Sequence, residues 1–205
     1  DTSVRQFLLA ASRHGEDISE VYRETLRSMI NIFSNLFYLD SEEKLMKILC
    51  HHANPERTVA KLKQESNIIL PIITVSQTIT ENDDNRRRNS PTIVHEKVWN
   101  RDKQRAERVI SLVPRPVNIL YQAHIWTKYK ADMDQIAEQI RRIFNPSIEV
   151  LTSFNSLTKA FLTEEEDNTA LEVPDREERV IKKAFNIAVE TYVPGPRFLY
   201  TSTGE

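Results

Sequence analysis

From Val117 to Thr127 the residues alternate, with Val117, Ile119, Tyr121, Ala123 and Ile125 on one side and Asn118, Gln122 and His124 among those on the other. A period of two is the pattern of a half-buried strand. Leu120 and Trp126 fall on the second side, so that face is expected to be covered in part too, by a helix or a neighbouring subunit. Met133, Ile136, Ala137, Ile140 and Phe144 then recur at helical spacing. They predict an amphipathic helix over Lys128 to Phe144, capped by Thr127 or Asp132 and stopped by Pro146. A second stripe, Ile18, Val21, Tyr22, Met29, Ile30, Phe33, Leu36 and Phe37, predicts a helix over Asp17 to Leu39, with Asp17 and Glu20 at capping-box spacing.

Ile68 to Thr80 is rich in β-branched residues and reads as a strand, in which Pro71 belongs at an edge or a bulge. Thr92 to Trp99 and Arg108 to Val113 suit a hairpin around a charged turn. Val180 to Val193 alternates Phe185, Ile187, Val189, Thr191 and Val193 and reads as the last long strand. Lys44 to Cys50 is ambiguous, although Leu45, Met46, Ile48 and Leu49 fit a helix by spacing.

Polar stretches punctuate these elements. Glu81 to Pro91 holds three acids, three arginines and three asparagines without an apolar residue, so it is predicted to be a mobile loop. Leu162 to Arg179 reads as a second long polar connection. After Val193, Pro194 and Pro196 forbid a continued central strand, yet Phe198, Leu199 and Tyr200 form a small apolar cluster. The expected organisation is one domain over residues 1–193 and a C-terminal arm over 194–205 that seeks a partner surface. The fold class is α+β: a mixed, mainly antiparallel sheet flanked by helices, with extended loops.

At 205 residues and 40% hydrophobic content, such a domain can bury about 70% of the surface its unfolded chain exposes. Cys50 is the only cysteine, which rules out a disulfide within the chain. No apolar run approaches membrane-spanning length and no signal peptide is evident, so folding in a cytoplasm without a membrane partner is expected. A net charge of −2 removes the electrostatic case for a protein that wraps nucleic acid.

The charge is unevenly placed. Lys97 to Arg115 carries Lys97, Arg101, Lys103, Arg105, Arg108 and Arg115 against Asp102 and Glu107, a balance of +4. Leu162 to Arg179 carries eight acids, Glu164, Glu165 and Glu166 among them, against Arg176 and Arg179, a balance of −6. Opposite patches on one chain suit head-to-tail contact between copies. They also suit plain solvated faces.

Chemistry is sparse. Cys50, His51 and His52 offer soft and imidazole ligands, but neighbours in a strand point to opposite faces and no second pair completes four ligands, so no metal site is expected. His124 reads as a hydrogen-bonded residue at a packed surface rather than a catalytic group. No serine has a G-x-S-x-G setting, and Glu164 to Glu166 sit in a charge-rich stretch. Arg86, Arg87 and Arg88 are offset locally by Glu81, Asp83 and Asp84. No catalytic residue and no cofactor is expected.

The order of strand, W-T-K-Y (Trp126 to Tyr129), M-D-Q-I-x-E-Q-I (Met133 to Ile140), F-N-P (Phe144 to Pro146) and strand resembles the tail completion proteins of contractile-tailed bacteriophages, which stabilise the sheath and terminate the tail. Tyr22 to Leu39 resembles the family's opening helix, His52 to Leu62 its first crossover and Leu70 to Ile79 its Pro-containing strand. The resemblance implies that Lys44 to Cys50 is a strand leading to a turn at His51-His52. It makes Trp126, Tyr129, Met133, Ile136 and Ile140 scaffold residues.

It further implies a hexameric ring at the head-proximal end of the tail, in the virion at the tail-neck junction. Its partners would be further copies of itself, the tail tube or tube terminator, the sheath and the neck or connector. Candidate interface residues are Arg101, Arg105 and Arg108 on the basic side, Glu164, Glu165 and Glu166 on the acidic side, and Phe198, Leu199 and Tyr200 on the arm. Another neck or baseplate adaptor ring would share the charge complementarity and the arms, and a nucleic-acid-binding regulator is the alternative from another class; specific nucleic-acid binding is not expected.

Overall fold

The computed structural model describes residues 20–54, 57, 70–87, 93–101, 104–152, 158–168, 180–195 and 197–200. In chain order they form α1 (Val21–Ser34), β1 (Phe37–Leu39), β2 (Leu45–Lys47), β3 (Leu49–His52), β4 (Ile72–Asn82), β5 (Ile93–Asn100) and β6 (Arg105–Leu112). There follow β7 (Arg115–Thr127), α2 (Lys130–Ile143), β8 (Ser147–Val150), β9 (Thr158–Asp167), β10 (Ile181–Val193) and β11 (Arg197–Tyr200).

Six strands form one sheet in the order β3-β4-β7-β10-β9-β8, and β11-β6-β5 and β1-β2 form smaller ones. Only β3 and β4 run parallel in the large sheet. The α+β class with a mixed, mainly antiparallel sheet is therefore the observed one. Parallel neighbours need a crossover connection, and the crossover suggested after His52 falls largely outside the described residues.

The central strand explains the core. β7 pairs with β10 along its whole length, from Thr127 opposite Ile181 to Arg115 opposite Val193. Its odd-numbered side chains from Val117 to Ile125 are buried together with Ile73, Val75, Phe185, Ile187 and Val189. Both helices cover this face, α1 through Met29 and Phe33 and α2 through Met133, Ile136, Ala137 and Ile140. Burying such side chains stabilises by about 1.5–3 kcal/mol each before entropy is subtracted. Two pairs of buried hydroxyls satisfy one another: Tyr121 and Thr25 share a 2.8 Å hydrogen bond, and Thr158 and Thr191 one of 2.9 Å.

Several expected boundaries shift. The first helix ends at Ser34, five residues before Leu39, because Phe37–Leu39 finds strand partners in β2 and hydrogen-bonding side chains on α2. Asp17 lies outside the described residues, and Glu20 stands at the N-cap without a side-chain cap. The second helix starts at Lys130 with extended Tyr129 at its N-cap, and neither Thr127 nor Asp132 caps it. Thr127 instead donates to the Tyr129 carbonyl at 3.1 Å. Lys44 to Cys50 is two short strands rather than a helix, and His51 and His52 belong to β3 rather than to a turn, since β3 pairs with Ile72 to Val75. Pro71 sits just ahead of β4, where its missing donor disturbs no ladder.

Candidate assembly surfaces

The β7–β10 pair bends and continues as β6–β11. Only Val113 and Pro114 separate β6 from β7, and Pro194 and Gly195 lie at the same level on the other strand. A side chain at Gly195 would set its Cβ 2.4 Å from the Leu112 carbonyl oxygen, so close approach requires glycine here. Arg86 staples the bend. It bonds Asp83 Oδ2 at 2.6 Å, Asn118 Oδ1 at 2.8 Å and the Val117 carbonyl at 3.2 Å, with the Tyr192 ring centroid 5.0 Å away. The hydrogen bond from Arg86 is the main reason the Asp83 carboxyl lies below its ordinary pKa. Glu81 to Pro91 is thus not one mobile loop: Glu81 and Asn82 end β4 and Arg86 is fixed, while residues 88–92 lie outside the described set.

Beyond the bend, register sorts the side chains of the three-stranded sheet. Ile93, His95, Lys97 and Trp99 share a side with Ala106, Arg108, Ile110 and Leu112, and Lys97 lies directly opposite Arg108. Ile93, His95, Lys97, Trp99 and Arg108 are exposed, Trp99 at 63%. Neither Lys97 nor Arg108 has an ion-pair partner among the described residues. Arg105 does, at 3.4 Å from Glu107, and Arg101 is exposed in the hairpin turn.

The C-terminal arm also changes character, because Phe198, Leu199 and Tyr200 stand opposite Ile110, Val109 and Arg108 in β11. Its backbone is paired within the chain. Positions 198 and 200 fall at alternate places of the ladder from 199.

On the acidic side, Glu164, Glu165 and Glu166 are in β9 rather than in a polar connection. Burial works against the Glu165 carboxylate, but hydrogen bonds from Lys183, at 2.7 Å, and from Arg141 outweigh it and hold its pKa below the ordinary value. Glu166 accepts from Asn186 Nδ2 at 2.9 Å. Glu164 remains exposed. Asp167 ends β9, and residues 169–179, where the remaining four acids of that run lie, are outside the described set.

No group of three or more potential metal ligands is found among the described residues. Burial pushes the Cys50 thiol up to about 11, which makes it a poor nucleophile. Burial first, and the Lys182 ammonium second, push His124 down to about 4, with Glu166 acting the other way. His124 is 4% exposed. One ring nitrogen bonds Gln122 Oε1 at 3.0 Å, while its Nδ1 and the Thr74 hydroxyl on the paired strand have no hydrogen-bond partner.

The model of the T4-like virus Myoviridae tail sheath stabiliser family matches residues 19–197, nearly the whole of this architecture. The chain belongs to that family. The family is one of tail sheath stabilisers, in agreement with the resemblance carried by the Met133 to Ile140 motif. Among solved structures it is similar to the sheath/tube terminator of an extracellular contractile injection system (PVC), seen in its extended state by cryo-EM, with 12% identity and a TM-score of 0.37. That match covers 92% of this chain and spans 65% of the other. No curated protein matches, and no helix among the described residues is long and apolar enough to cross a membrane.

In this sheath stabiliser family member, Trp126, Met133, Ile136 and Ile140 are buried, at 2% exposure or less. Tyr129 departs from the expected scaffold set. It is 59% exposed at the helix N-cap, with the Lys128 ammonium 5.9 Å from its ring centroid. Two residues of the family-like motif act in a way that sequence reasoning missed. Gln139 accepts from the Phe37 amide at 3.2 Å and donates to the Phe37 carbonyl at 2.6 Å. Gln135 accepts from the Leu39 amide at 2.9 Å and donates to the Leu39 carbonyl at 3.5 Å. Their amides thus occupy the outer edge of β1 as a further strand would, shielding it from stray pairing. The available signal was their one-turn spacing within M-D-Q-I-x-E-Q-I.

Proposed function

We propose that the chain forms a closed ring at the head-proximal end of a contractile tail, where it ends the tube, holds the last sheath ring and offers a surface to the neck. The observation that carries this reading is the family match over residues 19–197. Termination would act by binding: a ring that fits the tube end on one face and presents no tube-like face on the other makes further addition unfavourable. The outer side of β4 beyond Val75 and the outer sides of β5, β8 and β11 have no strand partner among the described residues. Such edges suit strand addition by extended arms of sheath subunits.

Cryo-electron microscopy of tails assembled with and without the protein tests the proposal. The expected result is a ring at one tube end and, without the protein, tubes or sheaths of uncontrolled length or loose ends. Density at the baseplate end, or tails unchanged by its omission, would overturn it.

A further inference from the structure

Lys97 and Arg108 face each other across β5 and β6 with no acid at any register position on their side of the sheet. Like charges directly opposed on neighbouring strands are destabilising, and a partner carboxylate relieves them. Exposed Ile93 and Trp99 flank them on β5. This face is both cationic and apolar.

A complementary surface stands at the other end of the same chain. The β1–β2 turn carries Asp40, Glu42 and Glu43 with Lys44, all exposed, and Leu39 opposite Leu45 at its base, 47% and 62% exposed. The turn is held firmly: Asp40 donates its amide to the Lys44 carbonyl at 3.0 Å, and Glu43 donates to the Asp40 carbonyl at 2.9 Å. The Asp40 carboxylate accepts from the Ser41 amide at 2.7 Å, and Gln135 and Gln139 fix β1 to α2. Burial and the nearby Asp40 raise the Asp132 carboxyl above its ordinary pKa, which places the turn beside the start of α2, next to the Thr127 end of β7. The cationic sheet lies beyond the Arg115 end. The 13 residues of β7 between them span about 40 Å at strand rise.

We propose that the acidic, leucine-flanked β1–β2 turn of one copy docks on the Lys97–Arg108 face of the next. The inference rests on the ring reading above and names its interface. Two different surfaces at opposite ends of one chain make a head-to-tail contact, the kind that closes into a ring when the rotation per copy allows. Leu39 and Leu45 against Trp99 and Ile93 exclude water from the charge pairs, which strengthens them. The β9 acids are a poorer counterpart, because Glu165 and Glu166 already have partners within the chain.

The test mixes isotopically light and heavy full-length chains, couples amines to carboxylates with a carbodiimide, and locates light-to-heavy links, beside class averages of the same sample. Lys97 should link to Glu42 or Glu43 of the other copy. Lys97→Glu with Arg108→Glu, and separately Glu42→Lys with Glu43→Lys, should each weaken self-association at least tenfold with melting unchanged. An equimolar mixture of the two variants should restore it. Rings that form without this link and ignore both charge reversals would overturn the pairing and leave the ring standing. The link without closed rings would uphold the pairing and overturn the ring, and a strictly monomeric chain would overturn both.

Discussion

Ile136 and His124 sit on opposite faces of the same strand-to-helix unit and are held for different reasons. Ile136 is fully buried between α2 and the sheet, so Ile136→Ala should lower unfolding free energy by about 2–5 kcal/mol in a denaturant titration. His124 is buried as the neutral ring, facing Thr74 on β4 and close to Lys182 on β10 and Glu166 on β9. Its folded pKa of about 4 lies below the ordinary 6.5. The stability this represents is therefore complete above about pH 6.5 and is lost as pH falls through about 4. The loss should be on the order of 2–3 kcal/mol. Melting followed across that window should show the decline, and His124→Asn should flatten it; an equal slope in both proteins would place the acid sensitivity elsewhere.

At the scale of elements, two local devices decide how strands are exposed. The Gln135 and Gln139 amides close the edge of β1, and each net hydrogen bond in such a setting contributes about 0.5–1.5 kcal/mol. Replacing both by alanine should speed hydrogen exchange at the Phe37 and Leu39 amides while leaving α2 protected. Unchanged exchange would mean that β1 is held by β2 alone. At the bend, Gly195→Ala drives a Cβ into the Leu112 carbonyl. We expect a loss of about 1–3 kcal/mol, with exchange accelerated in β6 and β11 before the six-stranded sheet is affected.

For the whole molecule, the pairing of β11 with β6 alters what truncation should do. Deleting residues 197–205 removes β11, an edge strand of the small sheet. The main melting transition should stay near its full-length position, the β6 amides should exchange faster, and co-sedimentation with assembled tails should fall. A much earlier transition would make β11 part of the core, and full co-sedimentation would remove the three-stranded sheet from tail contact.

Local pattern alone determined much of this protein. Alternation along Val117 to Thr127 and Val180 to Val193 located the two central strands, and the stripe from Met133 to Phe144 located α2, because each is written in consecutive residues at a fixed period. The Met133 to Ile140 motif also carried the family. Tertiary structure decided whatever depends on distant partners. Glu165 reads in sequence as part of a solvated acidic run, yet Arg141 and Lys183 reach it from two other elements. Gln135 and Gln139 read as a polar helix face until β1 is laid against them. Tyr129, which the resemblance makes a scaffold residue, is exposed, and the apolar residues after Pro194 read as a free arm until β6 supplies their ladder. Periodicity reports which face of an element is apolar; only three-dimensional packing reports what meets the polar one.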